Sequence, residues 1–138
     1  MGTWSIESFG NDTACDWAYG LKNISDLNLV RETIQRVLDT GDEYLVRDAA
    51  VEVIAAVEVI ARLNGNFGVR DSYSKSTDAW VAAHPQKLPQ DLVALAIQAL
   101  DRILVKPSKL LELWEESNEF EAWKDSVLDL KNRASTFA

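Results

Sequence analysis

The sequence predicts an all-α protein, a compact helical bundle of about five main helices and two short ones in a single domain over residues 1–138. Three observations carry this. Apolar residues between Asp42 and Gly65 recur at helical spacing. Amphipathic stretches of the same period flank that segment, separated by Gly, Pro and Asn-marked breaks. No stretch shows sustained apolar/polar alternation with β-branched enrichment. Val51–Val59 is rich in Val and Ile, but its length and charge placement favour helix.

The Asp42–Gly65 stretch, DEYLVRDAAVEVIAAVEVIARLNG, is the element around which the rest is organised. Its body, Leu45–Leu63, places Ala49, Val53, Ile54, Val57, Ile60 and Ala61 on an apolar stripe about half the helix circumference wide. Arg47, Asp48, Glu52, Glu58 and Arg62 fall on the other side and read as its polar face. So wide a stripe requires cover from several neighbours. The alanines favour helix and permit close approach. Asp42 is the expected N-cap, and Asn64-Gly65 the expected stop. The five charges within the body make a membrane span costly.

The flanking elements follow in order. Asn11 or Asp12 caps a short first helix carrying Ala14, Trp17, Ala18 and Leu21. A second helix runs from Leu27 to Asp39, with Val30, Ile34, Val37 and Leu38 on one face. Thr40-Gly41 closes it, and the central helix is expected to start at once, as an antiparallel hairpin. Asn66–Ser76 reads as a loop. Thr77-Asp78 opens a short helix that His84-Pro85 stops. A helix from Pro89 to Val105 presents Val93, Ala96, Ile97, Leu100 and Leu104. Ser108 caps a short helix with Leu110, Leu111, Leu113 and Trp114. Asn118 and Glu121 have capping-box spacing for the last helix, whose stripe is Phe120, Trp123, Val127 and Leu130. Asp129 and Arg133 can pair one turn apart. The tail from Ser135 reads as frayed.

Charge narrows the partners. Fourteen Lys and Arg stand against 22 Asp and Glu, a formal net charge of −8. Nucleic acid is a poor partner, since binding phosphates needs concentrated positive charge. A basic protein partner is compatible and would be steered in electrostatically. One cysteine rules out an internal disulfide and fits a reducing, cytoplasmic compartment. No secretory signal is visible, and Ile6 stands where a myristoylation motif wants Ser or Thr.

Candidate chemistry is sparse. One His and one Cys exclude the usual zinc sets, so no metal and no cofactor are expected. Asp12 and Asp16, one turn apart, have the spacing to share a cation, yet both suit the positive end of a helix. Cys15 with His84 as base lacks any activating flank and reads as a packing residue beside a helix-end histidine. Asp48 and Glu52 also stand one turn apart, and paired acids can split their pKa values, but a solvated face near Arg47 and Arg62 explains them. No phosphate-binding loop, dinucleotide fingerprint, zinc-protease or serine-hydrolase motif occurs, so no catalytic residue is assigned. The five tryptophans read as core and edge filler.

The opening Met1-Gly2-Thr3-Trp4, Phe9, Asn11-Asp12 and Asp16-Trp17 resembles a family of small bacterial proteins known as domain of unknown function 4259. The family's opening looks like M-G-x-W-G-x-x-x-F-D-N-D-x-A-x-D-W. Ser5 stands for its usual Gly and Gly10 for its usual Asp. The Ala-rich central helix with Glu52 and the Trp123 helix also look similar. The resemblance implies a bacterial origin, brings no activity, and groups Trp4, Phe9, Asn11, Asp12, Asp16 and Trp17 as one unit. The acidic charge, the small all-α body and the missing catalytic set motivate the expectation of a non-enzymatic protein-binding or regulatory module, immunity- or antitoxin-like toward a basic partner. The alternative is a hydrolase or small-ligand protein with a carboxylate pocket built from Asp12, Asp16 or Glu52.

Overall fold

One helix lies at the centre of the others. A computed structural model describes residues 6–136 and contains seven helices among them. The central one is α3 (Arg47–Leu63), and it packs against all the rest: α1 (Asp12–Tyr19), α2 (Asn28–Asp39), α4 (Lys75–Ala83), α5 (Gln90–Ile103), α6 (Lys109–Glu115) and α7 (Phe120–Ser135). The all-α reading holds. Four helices have 12–17 residues, while α1, α4 and α6 have 7–9. No helix of the described residues is long and apolar enough to cross a membrane.

The apolar stripe of α3 is buried as its spacing predicts, Ile54 and Ile60 included. Ala49, Ala50, Ala55, Ala56 and Ala61 are buried too, and these small side chains leave room for neighbours on every side. Buried residues from all seven helices join one cluster. Trp17, Trp80, Trp114 and Trp123 belong to it, and Trp114 stacks on Trp123 at 5.8 Å between centroids. Each indole N–H needs a partner when buried. Trp17 Nε1 donates to Thr33 Oγ1 at 2.8 Å, and Thr33 Oγ1 donates onward to the Leu29 carbonyl at 2.8 Å. Trp80 Nε1 donates to the Ile24 carbonyl at 2.8 Å.

Local chemistry sets several boundaries differently from the sequence reading. The central helix begins at Arg47 with Val46 as its cap residue, not at Asp42. The reason is long-range: Leu45 is pulled into an extended bridge, its N–H donating to the Pro107 carbonyl and its carbonyl accepting from Lys109. Arg102 holds the same segment, donating from Nε to the Gly41 carbonyl and from Nη2 to the Glu43 carbonyl. The α2–α3 connection is therefore a seven-residue segment, 40–46, and not an immediate turn. Helix α4 starts at Lys75 because Asp71 Oδ1 accepts from the N–H groups of Tyr73 and Ser74, folding the turn before Thr77. No capping box forms at α7; Glu119 is the cap residue without a side-chain bond. Helix α5 ends at Ile103, and its most buried residues are Leu92, Ala96, Ala99, Leu100 and Ile103. Val93, Ile97 and Leu104 are half-buried, because α2, α3 and α7 together rotate the covered face.

Three helix-end signals match, and at α6 the Ser108 hydroxyl accepts from the Leu111 N–H. Asn11 Oδ1 accepts from the Ala14 N–H at 2.8 Å, so Asn11, not Asp12, caps α1. Gly65, at φ +89°, ends α3: its N–H donates to the Arg62 carbonyl and that of Asn66 to the Ala61 carbonyl, a Schellman closure.

Asn11→Ala should destabilise the protein by about 0.5–2 kcal/mol and Asp12→Ala by less, measured by urea unfolding. Ile60→Ala should cost about 2–5 kcal/mol and exposed Val105→Ala no more than about 0.5 kcal/mol by the same assay.

Candidate functional site

The face of α3 read from the sequence as solvated holds the most unusual chemistry in the structure. Glu58 and Arg62 are only 4% and 2% exposed. An ion cannot remain in such surroundings without compensation, and each has it. Arg62 donates from Nη1 to Glu58 Oε1, from Nε to Asp78 Oδ1 at 2.7 Å, and from Nη2 to the Val69 carbonyl at 2.9 Å. Arg133, from the last turn of α7, donates to both Glu58 oxygens at 2.9–3.0 Å and to Asp129 at 2.7 Å. Ser8 Oγ donates to Glu58 Oε2 at 2.6 Å. Asp78 also accepts from Ser74 and lies 3.6 Å from Arg70. Three carboxylates thus balance three guanidinium groups.

The surrounding chain is shaped to this cluster. Asn64 and Asn66, just beyond α3, donate to the Ala134 and Arg133 carbonyls at the end of α7. Those carbonyls have no partner within their own helix. Gly68 passes so close that a Cβ there would sit 2.9 Å from both terminal nitrogens of Arg133. Of the N-terminal motif, Phe9 reaches the same cluster. Phe9 is buried against the Arg62 guanidinium at 5.4 Å, a cation–π contact. Cys15 Sγ donates to the Phe9 carbonyl at 3.3 Å. A cleft of about 150 Å³ opens over Glu58, Arg62 and Arg133, bounded by Ser8, Phe9 and Val69.

Burial pushes the Glu58 carboxyl up, but the hydrogen bonds and charge of Arg133, the charge of Arg62 and the Ser8 hydroxyl outweigh it. Its pKa therefore lies below the ordinary value. An ionised carboxylate whose two oxygens already accept four hydrogen bonds has no proton to donate and no free lone pair for a substrate proton. The cluster fixes geometry; it does not offer acid–base catalysis.

The other residues singled out by sequence scatter. Trp4 lies outside the described residues. Phe9, Asn11 and Trp17 serve packing, capping and the Thr33 bond described above. Asp12 and Asp16 are exposed on α1. Asp48 is exposed beside Arg47 at 2.7 Å, and Glu52 pairs with Arg36 of α2 at 3.1 Å. None of these four acids lines the cleft over Glu58. Among the described residues no group of three or more His, Cys, Asp or Glu is placed to hold a metal ion. Burial, then the charges of Asp12, Asp16 and Asp71, push the Cys15 thiol up, opposite to the activation a nucleophile needs.

The sequence reading missed Glu58 and Arg62 as buried ions, although a signal was present. Val57 and Val59 flank Glu58, Ala61 and Leu63 flank Arg62, and a helix apolar all round is one buried all round. In such a helix, two opposite charges four residues apart mark an internal pair. Glu58→Gln should destabilise the protein by about 3–5 kcal/mol, since it removes the buried carboxylate shared by Arg62 and Arg133 and leaves each guanidinium with one carboxylate partner, Asp78 or Asp129. With its folded pKa depressed, Glu58 contributes stability fully above the unfolded value near 4.5, and that contribution is lost as pH falls through the folded value. Urea midpoints between neutral pH and pH about 3 should fall more steeply for the native chain than for Glu58→Gln.

The chain matches no curated protein and no solved structure. The family described as Domain of unknown function (DUF4259) matches residues 2–126 of the 138, and the chain belongs to that family.

Proposed function

We propose that this chain is a non-enzymatic protein-binding module of the bacterial cytoplasm that neutralises a basic protein partner in the manner of an immunity protein or antitoxin. The observation that supports the reading is an acidic edge at the α6–α7 junction. Between residues 112 and 125 six acids stand against Lys124 alone, a net −5 of the chain's −8. Glu115, Glu116, Glu119, Glu121 and Asp125 are exposed. Only Glu115 of these five has an ion pair among the described residues, with Lys106 at 3.4 Å.

Apolar anchors stand beside this edge. Tyr44 and Val46 flank buried Leu45 in the extended segment, so both point outward, 48% and 55% exposed. The Tyr44 hydroxyl donates to Glu112 at 3.2 Å, fixing an amphipathic ring within the acidic rim. Aromatic anchors ringed by charge are common at protein interfaces, and complementary charge mainly raises the association rate.

The test is co-expression with the product of an adjacent gene encoding a basic toxin domain, followed by binding measurements on the purified pair. Protection is expected, with association slowed about tenfold or more by Glu116→Lys/Glu119→Lys/Glu121→Lys and by added salt. An unchanged association rate in the triple variant, or no protection by the native chain, overturns the reading.

A further inference from the structure

The acidic edge leaves unexplained a groove on another part of the surface, where α1 and α4 meet. It encloses about 670 Å³, within the size range of small-ligand pockets. Its exposed rings are Tyr19 and Tyr73, at 68% and 60%, while Trp80 of α4 is a core residue only 5% exposed and His84 stands at the end of α4. In a chain of net charge −8, no carboxylate among the described residues lines it. Two ammonium groups do, those of Lys22 and Lys75. Neither has an ion pair among the described residues, and Lys22 Nζ is held 5.8 Å over the Tyr19 ring.

We propose that this groove binds a small planar aromatic carboxylate, its ring on the exposed Tyr19 and Tyr73 and its anion on Lys22 and Lys75. Exposed aromatic faces gain most from a ring that stacks on them. Two uncompensated ammonium groups gain most from one shared carboxylate. Asp12, Asp16 and Asp71 act on the Cys15 thiol in the same groove. The long-range field therefore does not attract an anion, and direct contact with the two lysines holds it. His84 adds a specificity element. Its Nδ1 lies 3.0 Å from the Trp80 carbonyl, which only accepts, so Nδ1 carries a proton and Nε2 is the ring nitrogen left for the ligand. The proposal is independent of the acidic edge, because the two surfaces share no residue.

The test uses the full ¹⁵N-labelled chain and three probes with one ring system: naphthalene-2-carboxylate, naphthalene-2-carboxamide and 2-naphthylmethylammonium. The carboxylate should give saturable shifts at the Trp80 indole and at the amides of Tyr19, Lys22, Tyr73 and Lys75. The carboxamide should bind about tenfold more weakly and the ammonium more weakly still. Lys22→Gln/Lys75→Gln, both surface substitutions, should keep the folded spectrum and remove the preference for the carboxylate. No saturable shift, equal affinity for all three probes, shifts outside the groove, or concentration-dependent broadening of the groove signals without probe (a second copy as the occupant) would each overturn the proposal.

Discussion

From Val53 to Arg62 every residue of α3 is buried, so a charge there has nowhere to go but inside, and the ion cluster around Glu58 follows from that constraint. Helix α3 touches six other helices, so its Glu58 and Arg62 cannot reach water. Arg133 of α7 and Asp78 of α4 come to them instead. Compared with apolar packing of the same volume, such a cluster adds little net stability, but losing one member strands the others. What it fixes is arrangement. Its bonds join the segment before α1, the body of α3, the loop after it, α4 and the end of α7.

The same constraint orders the irregular chain nearby. Residues 64–71 would be an unsupported loop if judged by composition. In the structure their asparagines complete the carbonyl ends of α7, their glycine lets the backbone pass over Arg133, and Val69 accepts from Arg62. The segment just before α1 fits here as well. Ser8 and Phe9 lie against the cluster while Asn11 starts α1 next to them, so ionic bond, ring contact and helix cap occur within four residues.

Charge is thus divided into three places with different consequences. The interior cluster is balanced and inert toward proton transfer. The α6–α7 edge carries most of the surplus negative charge and is solvated. The α1–α4 groove carries two lysines and exposed rings without a lining carboxylate among the described residues. A net charge of −8 averages over these and conceals that the charged side chains at the two surfaces are opposite in sign.

The sequence by itself determined the elements whose signals are local. The helical period of Val53, Ile54, Val57 and Ile60 identified the central rod. Asn11 and Ser108 marked two caps, and Gly65 marked the stop, because a cap needs only atoms a few residues away. Tertiary structure decided whatever depends on residues far along the chain. Leu45 is extended and not helical because Pro107 and Lys109 offer it backbone partners. Glu58 and Arg62 are interior because Arg133, 75 residues beyond Glu58, folds back to balance them. An amphipathic wheel can say which side of a helix is polar; whether that side meets water or another helix's arginine is set only when the helices assemble.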